Sequence, residues 1–218
     1  METKKTNIFT RFLPAYGWAA VILMNVVNLI AFQGTRLINR GWYHYDFSLP
    51  LDNIIPLIKA FAIIYLPIAY AQWIYGFYLA AREKKNICFN IYGAEIIAKL
   101  LCMVCFLIIP TTMVRYDVTG NDPLTLMLRF VYWADAPDNL FPSIHCLESY
   151  VLTRGAFKME RCPAWYKWAS IPVTLLVFAS TLFTRQHVFV DIISAVVVVE
   201  IGFLISGRFF KCGKKQER

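Results

Sequence analysis

The sequence has few charged residues for its length. Asp, Glu, Lys and Arg make up 17% of the 218 residues, whereas hydrophobic residues make up 58%. Soluble domains usually carry about 25% charged residues, so this composition argues against a water-soluble protein. The chain also lacks internal repeats, low-complexity tracts and a composition break that would divide it. We therefore expect a single domain over residues 1–218.

Segments that alternate polar and apolar residues are also missing, which argues against a membrane β-barrel. The apolar residues fall instead in six long runs, and about 20 such residues in a helix span the hydrocarbon core of a bilayer. The fourth run is the shortest and the most polar. The sequence predicts an all-α, polytopic membrane protein whose six transmembrane helices are Ala15–Phe32, Leu57–Ala81, Ile87–Ile109, Pro142–Phe157, Ala169–Thr184 and Val188–Phe210.

One further apolar stretch lies in the third loop, from Pro123 to Asp135, with Arg129 inside it. This pattern predicts a short helix that lies in the membrane surface. The first of the six runs follows Lys4, Lys5 and Arg11, as in a secretory signal, but no small-x-small cleavage pattern comes after it. We interpret it as a retained transmembrane helix.

Six transmembrane helices place the loops and tails alternately on the two sides of the membrane, and Lys and Arg are scarce on one of these sides. Five arginines fall there: Arg36, Arg40, Arg115, Arg129 and Arg185. Fifteen cations fall on the other face: Lys4, Lys5, Arg11, Arg82, Lys84, Lys85, Arg154, Lys158, Arg161, Lys167, Arg208, Lys211, Lys214, Lys215 and Arg218. Cytoplasmic loops of membrane proteins carry an excess of Lys and Arg, so both termini should be cytoplasmic. We expect the chain to lie in the plasma membrane, with the face that is poor in Lys and Arg toward the outside of the cell.

The net charge of +8 then follows from membrane topology and from contact with anionic lipids. The basic residues form no cluster interleaved with aromatic residues, so we expect no nucleic-acid partner. The oligomeric state has no signature in the sequence.

Two of the three histidines, His145 and His187, belong to short motifs at predicted helix ends on the non-cytoplasmic face. His187 and Asp191, in "HVFVD", are four residues apart, which places them on one face of a helix. A hydrogen bond from the aspartate would fix the imidazole tautomer and leave the other ring nitrogen free to attack or to take a proton. The alternative interpretation is a His–Asp pair that only caps the start of a helix.

The second histidine belongs to "PSIH", where a proline suits the first turn of a helix. Ser143 offers a hydroxyl group, and the N–H groups at a helix start favour an anion such as phosphate. A bound phosphate would favour protonated His145, which could then act as a general acid. The alternative is an interfacial helix whose histidine reaches water.

Together these motifs resemble the type 2 phosphatidic acid phosphatase superfamily, six-helix membrane enzymes with P-S-x-H and H-x-x-x-D motifs. The counterpart of the family's upstream basic motif is "PTTMVRYDVTGND", which contains Arg115. The resemblance covers roughly the second half of the chain. Within the superfamily, the motifs are similar in particular to those of the inositol phosphorylceramide synthase branch. Four family positions differ: Ile108 replaces a lysine, Tyr116 a proline, Ile144 a glycine and Thr181 an arginine.

The resemblance implies a lipid phosphatase that hydrolyses a lipid phosphate or diphosphate without a metal or cofactor. His187 would attack phosphorus and become a phosphohistidine, Asp191 would orient it, and His145 would protonate the leaving oxygen. Arg115, Ser143 and Arg185 would hold the phosphate oxygens. The expected partners are the lipid phosphate substrate and the surrounding membrane lipids.

Two other functions stay open. A lipid phosphotransferase, which moves a phospho-headgroup to a lipid alcohol, would use the same residues with a different acceptor. A non-catalytic relative could bind or transport lipid. Inside the helices, we expect Glu95 and Lys99 to form a buried pair and Glu148 to contact His145 or a neighbouring helix.

Overall fold

The computed structural model describes residues 11–211, and their regular structure is almost entirely helical. The helices are α1 (Ala15–Asn39), α2 (Pro50–Ile54), α3 (Lys59–Ala81), α4 (Lys85–Ile108), α5 (Pro123–Ala134), α6 (Ile144–Ala156), α7 (Ala164–Phe183) and α8 (Phe189–Phe209). Two short strands, β1 (Tyr45–Asp46) and β2 (Thr111–Thr112), pair in parallel with Tyr45 opposite Thr111. The cations predicted at the two ends of the chain, Lys4, Lys5, Lys214, Lys215 and Arg218, lie outside the described residues.

Five helices are long and apolar enough to cross a membrane. They are α1, α3, α4, α7 and α8, with 20 to 25 residues each and mean hydropathy between 1.3 and 2.3. Large apolar side chains on their outer faces are exposed, for example Ile74 on α3 and Leu204 on α8. The prediction of an all-α, multi-pass membrane protein is confirmed.

The fourth predicted span is shorter than the sequence suggested. Helix α6 has 13 residues, about 20 Å at 1.5 Å per residue, which is less than the roughly 30 Å core. The segment nevertheless connects opposite ends of the bundle. At one end, the N–H of Ser143 donates to the carbonyl of Asp191 in the first turn of α8; past the other end, the N–H of Arg161 donates to Glu83, just after α3.

Helix α1 does not end at Phe32 as predicted but continues to Asn39 through a π-helical segment, Leu29–Gly34. The polar residues of its last turn are buried because they find partners. Asn39 Nδ2 donates to the carbonyl of Phe106 at 2.9 Å and to Asn139 Oδ1 at 2.7 Å, and Asn139 Nδ2 donates to Thr35 Oγ1 at 3.1 Å. Burying polar side chains costs little free energy when they are hydrogen-bonded in this way. A hydropathy pattern does not show these partners, so it did not predict the longer helix.

The centre of the bundle contains an ionic cluster. Lys99 Nζ lies 2.7 Å from Glu95 Oε1, which is the predicted pair, and 2.6 Å from Glu148 Oε1 on α6. Glu95 and Lys99 are fully buried. One lysine thus holds two carboxylates and links α4 to α6.

The predicted helix of the third loop is present as α5. Asp122 caps it by accepting from the N–H of Thr125 at 3.0 Å, and the proline at its first position suits a helix start. Lys59 Nζ bonds Thr125 Oγ1 at 2.7 Å, which ties α5 to the start of α3.

Candidate active site

His187 and Asp191 form a hydrogen-bonded pair in the first turn of α8. His187 Nδ1 lies 3.1 Å from Asp191 Oδ2, and the same oxygen accepts from the N–H of Val188 at 3.0 Å. Asp191 is fully buried and His187 is 6% exposed. The carboxylate holds the Nδ1 side of the ring, so Nε2 is the nitrogen available for chemistry.

The second histidine is brought beside the first by helix starts that are remote in sequence. The rings of His145 and His187 lie 6.1 Å apart between centroids, although the residues are 42 positions apart. Ser143 Oγ caps α6 by accepting from the N–H of Cys146 at 3.3 Å, a common role for serine at this position. The structure therefore places His145, His187 and Asp191 together, and gives the Ser143 hydroxyl a capping contact.

His145 is held by a tyrosine and an aspartate that the sequence analysis missed. The Tyr65 hydroxyl donates to Asp135 Oδ2 at 2.6 Å and lies 3.2 Å from His145 Nδ1. Because its proton goes to Asp135, its oxygen accepts from an Nδ1–H, which leaves Nε2 of His145 free. The Tyr65 ring also stacks on the imidazole, with centroids 4.3 Å apart.

The sequence marks Asp135 as a candidate site residue but does not mark Tyr65. Asp135 follows the apolar stretch "FVYWA" directly, so its charge comes where an amphipathic helix ends. Tyr65 is one of 12 tyrosines, and no motif marks it.

Arg115 links Asp135, which helps to hold His145, to Gln186, which precedes His187. Its Nη1 donates to the Asp135 carbonyl at 2.6 Å, its Nη2 donates to Gln186 Oε1, and its guanidinium stacks over the Tyr132 ring at 4.8 Å. Burial lowers the pKa of Arg115, and the Asp135 carboxylate opposes this shift. Its Nε is buried without a hydrogen-bond partner among the described residues, so one donor is unused.

Arg185 is engaged with backbone groups. Its Nη1 donates to the Asp52 carbonyl at 2.7 Å, and its Nη2 donates to the Ile55 carbonyl at 2.6 Å and to the Tyr116 hydroxyl at 2.8 Å. These contacts join the α7–α8 turn to the segment around α2. Arg115, Ser143 and Arg185 do not line the cavity described next, and their assignment to the phosphate stays a prediction.

A cavity of about 840 Å³ lies between α1 and α3 and reaches both histidines. This volume falls within the range of about 300–1,000 Å³ that is usual for ligand pockets. Its walls are mostly apolar and aromatic, and three carboxylates line it: Asp135, Asp138 and Glu148. None of the described residues that line it is a lysine or an arginine, a distribution that the sequence analysis did not anticipate.

No family model matches the sequence, and no curated protein matches it. Within residues 11–211, no group of three or more His, Cys, Asp or Glu side chains could hold a metal ion. The function is therefore inferred from the side chains of the site and their geometry.

Proposed function

We propose that this protein is an integral membrane enzyme that hydrolyses a lipid phosphate or diphosphate through a phosphohistidine on His187. One observation carries the proposal: two histidines line the same cavity, and each is hydrogen-bonded at Nδ1 so that its Nε2 is free. Asp191 anchors the first, and Tyr65 with Asp135 anchors the second. A purely structural pair of histidines would not need both rings to face a cavity.

In the first step, His187 Nε2 attacks phosphorus. The P–N bond forms as the bond from phosphorus to the lipid oxygen breaks, and Nε2–H of protonated His145 gives its proton to that oxygen. Asp191 stabilises the positive charge that develops on His187. The Tyr65–Asp135 pair does the same for protonated His145.

In the second step, water attacks the phosphohistidine. His145 Nε2 takes the proton of the water as the new P–O bond forms and the P–N bond breaks. Phosphate leaves, and both histidines return to their starting protonation states. The proton that His145 gives to the lipid oxygen in the first step is replaced by the proton taken from water in the second.

We propose further that the chain crosses the membrane six times, with α6 and its flanking residues as the short crossing. The two connections that follow α3 and α6 meet at one end of the bundle, where Lys84 Nζ lies 2.6 Å from Glu160. This end holds the described cations Arg11, Arg82, Lys84, Lys85, Arg154, Lys158, Arg161, Lys167, Arg208 and Lys211. The bias supports cytoplasmic termini and an active site on the outer face of the plasma membrane.

Helix α5 would then lie in the membrane surface beside the site. Its outward side chains Leu126, Phe130 and Trp133 are exposed by 52%, 49% and 80%. Apolar side chains of an amphipathic helix insert into the boundary between headgroups and acyl chains, which supports this placement.

A second candidate function is transfer of a phospho-headgroup to a lipid alcohol. The observation that favours it is the charge of the cavity wall, because Asp135, Asp138 and Glu148 would repel the dianion of a phosphate monoester more than the single charge of a diester. In this case the lipid alcohol replaces water in the second step, and His145 takes its proton.

The test is product analysis with the purified full-length protein in lipid nanodiscs. A panel of lipid phosphates and diphosphates is supplied with and without ceramide or diacylglycerol as acceptor, and His187→Ala serves as the control. Phosphate release that needs His187 supports the phosphatase. Headgroup transfer without phosphate release selects the transferase, and no reaction with either panel leaves the non-catalytic lipid-binding relative.

A further inference from the structure

Three acidic residues line the cavity, whereas the cations that pair with two of them, Arg36 with Asp138 and Lys99 with Glu148, do not line it. Glu148 Oε1 bonds Lys99 Nζ at 2.6 Å, but Glu148 Oε2 is buried and has no hydrogen-bond partner among the described residues. Lys99 is fully buried behind Glu148 and also holds Glu95 at 2.7 Å. Lys99 thus lies between the two carboxylates and outside the cavity lining.

Aromatic side chains line the same end of the cavity. The rings of Tyr70 and Trp73 lie 4.8 Å apart, and Trp73 lies 5.2 Å from His145. Asp135 and Glu148 line the cavity together with Tyr70 and Trp73. Aromatic faces beside carboxylates are the arrangement that recognises quaternary and other organic ammonium groups.

We propose that this end of the cavity binds the ammonium headgroup of a zwitterionic phospholipid. The ammonium would lie against Tyr70, Trp73 and the carboxylate of Glu148, which all line the cavity, with the phosphate toward His187. The dianionic headgroup of a phosphate monoester is disfavoured, since its second negative charge would meet Asp135, Asp138 and Glu148 and no described lysine or arginine of the lining. The identification of this lipid as the substrate, but not the binding itself, rests on the second candidate function, because a zwitterionic phospholipid is a phosphodiester.

The rest of the cavity accounts for the lipid tail. Its lining continues along α3 from Tyr65 to Tyr78 and along α1 beside it, with apolar residues such as Met24 and Phe77. At 1.5 Å per residue, this stretch of α3 is roughly 20 Å long. An acyl chain fits such an apolar groove, whereas a free amine would leave it unused.

The test measures equilibrium binding to the full-length His187→Ala protein, so its outcome does not depend on turnover. The probes are radiolabelled dodecylphosphocholine and dodecyl phosphate, which share the chain and the phosphate and differ in the ammonium group. We expect dodecylphosphocholine to bind about tenfold more tightly or better. Equal or tighter binding of dodecyl phosphate would overturn the proposal. A preference that persists while the wild-type protein shows no turnover would count only against the proposed function.

Two substitutions in the same background locate the site. Glu148→Gln removes the charge but leaves Lys99 paired with Glu95, and should reduce the preference to about onefold. Glu200→Gln is the matched control, since Glu200 bonds Tyr150 and Arg154 and does not line the cavity, and it should keep the preference. Tyr70→Leu removes an aromatic face and should weaken only dodecylphosphocholine, by about fivefold. An unchanged preference in both Glu148→Gln and Tyr70→Leu would contradict the assigned site.

Free choline serves as a competitor that separates the two sources of an ammonium group. We expect it to compete at least about a hundredfold more weakly than dodecylphosphocholine, because it cannot bury an acyl chain at about 0.8 kcal/mol per CH₂. Equal competition would overturn the phospholipid assignment in favour of a soluble amine.

Discussion

The main-chain N–H of Ser143 donates to the main-chain carbonyl of Asp191 at 3.1 Å. This single bond joins the start of α6, which carries His145, to the first turn of α8, which His187 precedes by two residues. Because it involves only backbone atoms, it fixes the relative position of the two turns whatever side chains they carry. The separation of 6.1 Å between the His145 and His187 rings follows from this junction.

The first prediction separates the two histidines by role. His187→Ala removes the nucleophile and should abolish turnover of every substrate. His145→Ala removes a proton donor, so it should slow cleavage of a lipid phosphate by about 10²–10⁴-fold. Nitrophenolate leaves without a proton, so nitrophenyl phosphate should lose less in single-turnover measurements. Equal losses on both substrates for both variants would show that the roles are assigned wrongly.

The second prediction concerns the anchor of His145. Tyr65→Phe keeps the stacked ring but removes the hydroxyl between His145 Nδ1 and Asp135, so kcat should fall by about tenfold with KM nearly unchanged. Tyr92→Phe is a matched control, because its buried hydroxyl bonds the Phe77 carbonyl at 2.9 Å and Tyr92 does not line the cavity. If the two variants behave alike, Tyr65 serves stability and not catalysis.

The third prediction concerns the ionic cluster in the core. Lys99→Met leaves Glu95 and Glu148 buried without their shared cation and should destabilise the fold by about 3–5 kcal/mol. Lys59→Met removes a partly exposed partner of Asp122 and should cost about 1 kcal/mol or less. Thermal unfolding in one detergent, followed by size-exclusion chromatography, measures both. Comparable midpoints for the two variants would contradict a structural role for the cluster.

The fourth prediction concerns topology. A reporter that fluoresces only in the cytoplasm should be bright when it is fused after Arg218. A cysteine introduced at Asp122 should react with a membrane-impermeant reagent in intact cells. The reverse pattern would place the site on the cytoplasmic face.

The fifth prediction concerns metal and the covalent intermediate. Activity should persist in excess EDTA, because the proposed steps use His187 as nucleophile and His145 as proton donor and acceptor, and no step requires a metal ion. Vanadate should inhibit, since it can form a five-coordinate adduct with His187 that mimics the transition state. Activity that EDTA abolishes and a divalent ion restores would require carboxylate ligands, with Asp117 and Asp122 as the first to examine.

The sequence by itself determined the class of fold and the residues of the candidate catalytic centre. Runs of apolar residues mark membrane helices because backbone groups in lipid must pair within the helix, and five of the six predicted spans appear as long apolar helices. The expected contact between His187 and Asp191 is present, but His187 lies two residues before α8, and Asp191 contacts it from the first turn while also accepting from the N–H of Val188. Glu95 and Lys99 do pair one turn apart within α4, because helical periodicity is a local property.

Only the tertiary structure decided what surrounds those residues. Tyr65, Asp135 and Glu148 reach the site from three different helices or their ends, and contacts between remote segments leave no period in a sequence. Arg185 was expected at the phosphate, yet its guanidinium is engaged by the carbonyls of Asp52 and Ile55. The length of α6 and the extension of α1 to Asn39 depend equally on tertiary contacts. Polar groups can end or continue a membrane helix according to the partners that packing supplies, and hydropathy alone does not identify those partners.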